Sequence, residues 1–323
     1  MINIDARLSD ADWSKRTDDS LEALGVDLES LGIKTLGGAG SGDHGHSGRP
    51  GQVGGSFSTH GAEHDKRKKE LGIPPGWHSV EINRDKNGDM LARGRDSKNR
   101  GVYIYSKSQK EQAAVEKFQR GEAFNKALPG LRKQIQDDLK NPNAPHADKE
   151  AAAVLTLIEK TGFRVGGSSD TQAEKQAYGA STLLARHVEI DGDTVTFRFV
   201  GKKGVDQDHT YKDKAMADML RPRVAAGGRL FDTNDTKVRQ YLQSRKGGED
   251  FVVKDYRTWN GTTVALKAIN KMDAPSTPKE YQVARNRVGD IVAAHLGNAR
   301  NESLKSYIAP SVWIPWQHKT GSK

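Results

Sequence analysis

Cysteine is absent from this 323-residue chain, which excludes disulfides, thiolate zinc sites and a cysteine nucleophile. Long apolar runs are missing too: none approaches the ~20 residues that span a bilayer. The first residues, MINIDARLSDADW, lack the basic-then-apolar order of a secretory signal, so a cytoplasmic protein without a membrane partner is expected. Hydrophobic residues make up only 34% and mean hydropathy is −0.76, so part of the length is expected to pack poorly or not at all. No phosphate-cradling loop is present either. The glycine-rich run 37–58, GGAGSGDHGHSGRPGQVGGSFS, is followed by no Gly-Lys-Ser/Thr and preceded by no strand. It reads as a flexible linker, with a short amphipathic helix near Leu21 to Leu31 before it. His44, His46, His60 and His64 read as solvated rather than as metal ligands, because a mobile segment cannot fix ligand geometry.

What the chain has in excess is positive charge. Its net charge is +9, from 51 Lys and Arg against 42 Asp and Glu. Residues 1–64 hold five basic and ten acidic side chains, which leaves 46 against 32, a surplus of 14, in the remainder. So basic a body favours a polyanionic partner, nucleic acid first. Order is expected to begin near Lys66. Trp77, Val80 and Ile82 alternate with polar residues, Asn87-Gly88-Asp89 supplies a turn, and Met90 to Arg95 and Gly101 to Tyr105 follow as short strands. From Lys107 the period becomes helical: Ala113, Ala114, Phe118 and Phe124 share a face, and Leu128 to Leu139 and Ala151 to Phe163 read as two more helices. A second β-patch runs from His187 to Tyr211 around turns at Asp191-Gly192-Asp193 and Gly201-Lys202-Lys203-Gly204. Helices are then expected at Met216 to Val224, Val238 to Leu242, Tyr256 to Ile269 and Tyr281 to His295. The fold class is α+β. The expected organisation is an acidic, glycine-rich segment at 1–64, a small β-rich N-terminal domain at 65–106, and a mainly α-helical domain with an embedded β-hairpin at 107–323.

Cutting a phosphodiester without a metal needs a nucleophile, cations for the charge on five-coordinate phosphorus, and an acid for the departing oxygen. Four segments offer suitable groups, and each also has a plain structural reading. Phe163-Arg164-Val165-Gly166-Gly167 sets a guanidinium against glycines, but Arg then Gly is also ordinary helix C-capping. Val200-Gly201-Lys202-Lys203-Gly204 is a hairpin tip with two lysines, able to enter a groove or merely to solubilise a turn. In Val253-Lys254-Asp255-Tyr256-Arg257-Thr258-Trp259, Lys254 and Arg257 share a helix face, which is also what an amphipathic helix looks like. Leu296-Gly297-Asn298 and Lys305-Ser306-Tyr307-Ile308 bring a tyrosine that, alone, reads as a core residue.

Together, in order and spacing, these segments resemble the type IB DNA topoisomerases, particularly the small poxviral and bacterial form. The resemblance covers about residues 66–312 and includes KELGIPPGWHSVEI, KFQRGEAFNKALPGLRKQIQDDL, STLLARHVEI, VKDYRTWNGT and LGNARNESLKSYIAP. It implies the fold shared by tyrosine recombinases and topoisomerases IB, acting on double-stranded DNA as a monomeric clamp. It also implies relaxation of supercoils through a 3′-phosphotyrosine, without ATP and without an essential divalent metal. Tyr307 would be the nucleophile. Arg164 and Arg257 would hold the non-bridging oxygens, Lys202 would be the general acid on the 5′ oxygen, and Lys254 would assist it. Asn298 stands where poxviral and eukaryotic relatives carry histidine, and can still donate a hydrogen bond.

Three departures from the family pattern stand out. Gly166-Gly167-Ser168 replaces the usual Asn-Glu after Arg164, which puts the support of that arginine in question. Lys203 replaces Ser or Asp and could share the acid role. The first 64 residues lie outside the likeness, and GHSGRPGQVGGS resembles an element of some tailed-phage and prophage proteins, compatible with such an origin and with work in a host cytoplasm or at a nucleoid. Competing readings are a tyrosine site-specific recombinase, which usually carries His-x-x-Arg where this chain has Lys254-x-x-Arg257, and a DNA-binding relative without catalysis.

Overall fold

A computed structural model describes residues 56–167, 171–172 and 176–320. The expected helix at Leu21 to Leu31, residues 37–55 of the glycine-rich run, His44 and His46 lie outside the described residues. Among those that are described, one compact unit runs to Lys117 and a second begins at Phe118.

The smaller unit is an antiparallel sheet in the order β1 (Phe57–Ser58), β2 (His78–Asn83), β3 (Met90–Arg95), β4 (Gly101–Tyr105), with helix α1 (Ala62–Glu70) between its first two strands. Alternation sends Val80, Ile82 and Ala92 inward, where they meet Ile73, Leu71, Trp77 and Ile104. Ser79, at φ 50°, accompanies the break in register between His78 and Glu81. The β2–β3 turn is set by side chains: Asn83 Nδ2 donates to the Met90 carbonyl at 2.9 Å, and Asp85 Oδ1 accepts from the Asn87 amide at 2.9 Å. Order begins earlier than the sequence suggested. Phe57 pairs with Asn83 across the sheet and has the Arg93 guanidinium over its ring at 4.7 Å. His64, read as solvated, is buried, with Nε2 3.3 Å from the Val80 carbonyl oxygen. The sheet supplies packing partners that local glycine content could not announce.

The larger unit is built around α3 (His146–Thr161), whose stretch from Ala151 to Leu155, together with Leu157 and Ile158, is fully buried. Around it stand α4 (Lys214–Ala226), α5 (Asp235–Ser244), α6 (Val253–Ile269), α7 (Pro278–Leu296), α8 (Arg300–Ser306) and α9 (Ile314–Thr320), beside the antiparallel sheet β5 (Val188–Asp191), β6 (Thr194–Val200), β7 (Asp206–Lys212). α2 (Lys107–Lys140) is one continuous helix where two were expected, and it runs through Pro129. Proline removes one intrahelical bond, but Phe124, Leu128, Leu131 and Ile135 lie on one buried face that spans the break. Packing decides there. Of the face expected at its start, Phe124 is buried and Ala113 is exposed. Two apolar clusters fill this unit. One joins α2, α3, α5, the start of α6 and the sheet, and the other joins the rest of α6 to α7, Tyr307, Trp313 and Trp316. Among the described residues no helix is long and apolar enough to cross a membrane. The fold is α+β, with a helical core carrying an embedded hairpin.

Candidate active site

Arg257 is the hub. It lies one turn into α6 and is only 3% exposed. Its Nη1 donates to the carbonyl of Gly162 and its Nη2 to that of Leu296, at 3.0 Å. Both acceptors belong to helix ends. Gly162 caps α3 at φ 68° and Gly297 caps α7 at φ 58°, so each chain turns away just after the carbonyl that receives the guanidinium. Helix C-termini carry orphan carbonyls and partial negative charge, and one planar cation answers two of them. Nε is buried with no partner in ordinary hydrogen-bond geometry, while the Tyr307 side chain lies close enough to the guanidinium to favour its charge. Burial, and then the charge of Arg164, brings the Arg257 guanidinium down to about 10, with the neighbouring Tyr307 opposing the shift.

Lys254 and Arg257, three residues apart on α6, both face the ring of Tyr307, at 5.9 Å and 5.0 Å from its centroid. The start of α6 is anchored by Asp255, which accepts the Val252 amide at 2.9 Å and pairs with Arg120 at 3.2 Å. Tyr307 follows α8 and is 1% exposed. Its backbone rests on α6. A Cβ on Gly261 would lie 2.5 Å from the Tyr307 carbonyl oxygen, which also accepts from Thr262 Oγ1 at 3.3 Å. Glycine is required there for close approach.

Arg164, Lys202 and Arg257 line one open pocket together with Phe163, Tyr178, Gln207 and Gly297. The departure after Arg164 turns out to have its own support. Gly166 sits at φ 83°, and a Cβ on Gly179 would come within 2.6 Å of both the Arg164 carbonyl oxygen and the Gly166 nitrogen. The two backbones lie in direct contact, tied by Ala180 N–H to Arg164 O and Ser181 N–H to Val165 O, both 2.8 Å. Glycine pairs with glycine where polar side chains would otherwise brace the arginine. Phe163, between this segment and the cap of α3, meets Phe197, Phe199 and His209 edge-on at 5.1–5.2 Å. Lys202 is exposed at the β6–β7 tip, and Lys203 adopts φ 66°.

Asn298 comes directly after Gly297. Its Oδ1 accepts from Ser303 Oγ at 2.5 Å and its Nδ2 is buried without a partner, so its free donor is the amide. Arg164 and Lys202 thus meet Arg257 in the pocket, Tyr307 and Lys254 meet it at the ring, and Asn298 is joined to it through the end of α7. Tyr307, Lys254 and Asn298 do not line the pocket. The phenol is buried rather than presented to solvent, in keeping with the reading of this tyrosine, taken alone, as a core residue. The sequence also gave no sign of a polar group behind Arg257. There, His209 Nε2 lies 3.1 Å from Gln207 Oε1, and His295 Nε2 lies 3.2 Å from Asn260 Oδ1. Burial and the charges of His209, Arg257 and Lys267 push His295 down to about 4. Burial also lowers His209, assisted by Arg257 and opposed by Asp208. A signal for the caps was available, since glycine ends both helices. For Gln207, in the polar strand DQDHTYK, there was none.

The family model for the eukaryotic DNA topoisomerase I catalytic core matches residues 106–309, a span that holds all six site residues. The chain is 28% identical over 263 residues to a DNA topoisomerase 1B of Acanthamoeba polyphaga mimivirus, covering 75% of this chain and 77% of that protein. It is 22% identical over 227 residues to a DNA topoisomerase 1 of Caenorhabditis elegans, covering 62% of this chain and 27% of the nematode protein. With its α+β fold and the matched core, the chain belongs to the DNA topoisomerase I family, as a type IB enzyme.

Proposed function

We propose that this protein relaxes supercoiled duplex DNA by cutting one strand, letting the free end swivel, and resealing it. The observation that carries the reading is the convergence of Arg257, Arg164 and Lys202 on one pocket with the Tyr307 ring packed against the same guanidinium. A phosphate in that pocket would take donors from both arginines; the unpaired Asn298 amide, one residue past the pocket-lining Gly297, would turn to it as DNA binds. The phenol, buried in the free protein, turns to the phosphate as DNA binds; its oxygen attacks phosphorus and its proton passes to a water molecule admitted with the DNA. The bond to the 5′ oxygen breaks as Lys202 gives that oxygen a proton, with Lys254 assisting. The product is a 3′-phosphotyrosine and a free 5′ hydroxyl. Resealing runs the same steps backwards, and because the phosphotyrosine keeps the phosphodiester's energy, neither ATP nor an essential divalent metal is needed. The surplus of positive charge supports a monomer clamped on the DNA backbone, working where chromosomal DNA lies in a cytoplasm.

Purified protein is expected to relax supercoiled plasmid in EDTA without ATP, and Tyr307→Phe to abolish relaxation while duplex binding persists. Mass spectrometry of a trapped adduct should place the DNA on Tyr307. Relaxation by the phenylalanine variant, or an adduct on another residue, removes the assignment.

A further inference from the structure

One side chain touches both edges of the pocket that the mechanism needs to keep in register. Gln207 lies at the start of β7 and is 7% exposed. Its Nε2, with two hydrogens to give, lies 3.3 Å from the carbonyl oxygens of both Val205 and Asp206, within the hairpin that carries Lys202. The same nitrogen reaches the Gly297 carbonyl at 3.4 Å, ninety positions along the chain. Its Oε1 can only accept, so His209 donates to it through Nε2 at 3.1 Å. That bond fixes which way the amide points. Two glycines make room for it. A Cβ on Gly201 would lie 3.2 Å from Gln207 Cγ, and one on Gly297 would lie 1.7 Å from Oε1. These glycines stand immediately before Lys202 and Asn298. The hairpin tip itself is exposed, and a lysine there has a long, mobile stem.

We propose that Gln207 is a positioning residue: it ties the Lys202 hairpin to the Gly297–Asn298 turn and so holds the ammonium at the departing 5′ oxygen. The inference rests on the reading of Lys202 as the acid, and deepens it. Gln207 acts through Lys202 and needs no contact with DNA. A misplacement of about 1 Å can cost on the order of 100-fold in rate, so loss of this tie is expected to be felt in proton delivery before anything else.

The test compares single-turnover cleavage of two duplexes with a mapped cleavage site, one with oxygen and one with sulfur at the 5′-bridging position. A thiolate leaves without protonation, so a defect in acid delivery disappears on the sulfur substrate. Gln207→Met keeps the side-chain volume and removes both hydrogen-bonding roles. It is expected to cleave the oxygen substrate about 10- to 100-fold more slowly than the parent and the sulfur substrate at close to the parental rate. Melting temperature and duplex affinity, measured alongside, report folding separately from chemistry. Equal slowing on both substrates, or no slowing on either, overturns the inference. Lys202→Ala serves as the reference: if sulfur fails to restore it, the acid assignment falls and the inference with it. If sulfur restores Lys202→Ala but not Gln207→Met, only the inference falls.

Discussion

Arg257 and Lys202 line the same pocket in opposite ways. The arginine is sunk between two helix ends and its guanidinium is fixed by backbone carbonyls. The lysine stands exposed on a hairpin tip. The difference fits what the proposed mechanism asks of each group. A cation that stabilises charge works best when its orientation is set before the reaction, in a place water does not screen. A group that gives up a proton must approach, let go and be recharged, and a compact ammonium on a flexible stem suits that. One wall of the site is therefore part of the core, and the other is part of the surface.

Removing each side chain should separate these two characters. Arg257→Ala strips the carbonyls of Gly162 and Leu296 of their partner and leaves a void in a buried place. It should cut cleavage by about 100-fold or more and destabilise by about 1–3 kcal/mol, seen as a drop in melting temperature. Lys202→Ala should slow cleavage of an ordinary phosphodiester by a similar order, about 100-fold, yet shift stability by no more than about 0.5 kcal/mol. A large loss of stability in the lysine variant would erase the contrast. Acid should find the buried wall first. His295 is held near 4 in the fold against 6.5 when exposed, so the unfolded chain binds more protons between those values. Stability should then fall as pH drops from about 6.5 towards 4, by about 3 kcal/mol at most. His295→Gln should flatten that part of a stability–pH curve, and an unchanged slope would clear the histidine. The smallest effect belongs to the surface wall. Lys203 holds φ 66°, a conformation that costs a side chain about 1–2 kcal/mol. Lys203→Gly, offset by glycine's greater freedom when unfolded, should stabilise by less than about 1 kcal/mol. A cleavage rate that drops as for Lys202→Ala would show Lys203 sharing proton delivery.

The sequence announced the proposed participants better than their surroundings. Tyr307, Arg257 and Lys254 were legible because KDYRTW and LGN…SYI carry a family pattern, and the helix spacing that put Lys254 and Arg257 on one face is the spacing that sets both over the tyrosine ring. The β6–β7 tip was legible from its glycines. Long-range partners were not. Nothing local in DQDHTYK tells that Gln207 will reach Gly297, or that a guanidinium will answer two helix ends separated by more than a hundred residues of chain. The continuity of α2 through Pro129 was hidden for the same reason: a proline's local penalty is visible in sequence, whereas the buried face that overrides it is a property of the fold. His64 was misjudged because its glycine-rich neighbours describe the chain before it and not the sheet against which it packs.

Gly261 lies four residues after Arg257, one turn further along the same helix, and carries the main chain of Tyr307 on its bare backbone. The phenol proposed to attack and the guanidinium beside it thus both bear on one helix. If a rotating DNA end hangs from a phosphotyrosine, as proposed, its pull would reach that helix directly and would displace both groups together. Their mutual spacing would survive the load, which is what faithful resealing after many turns demands.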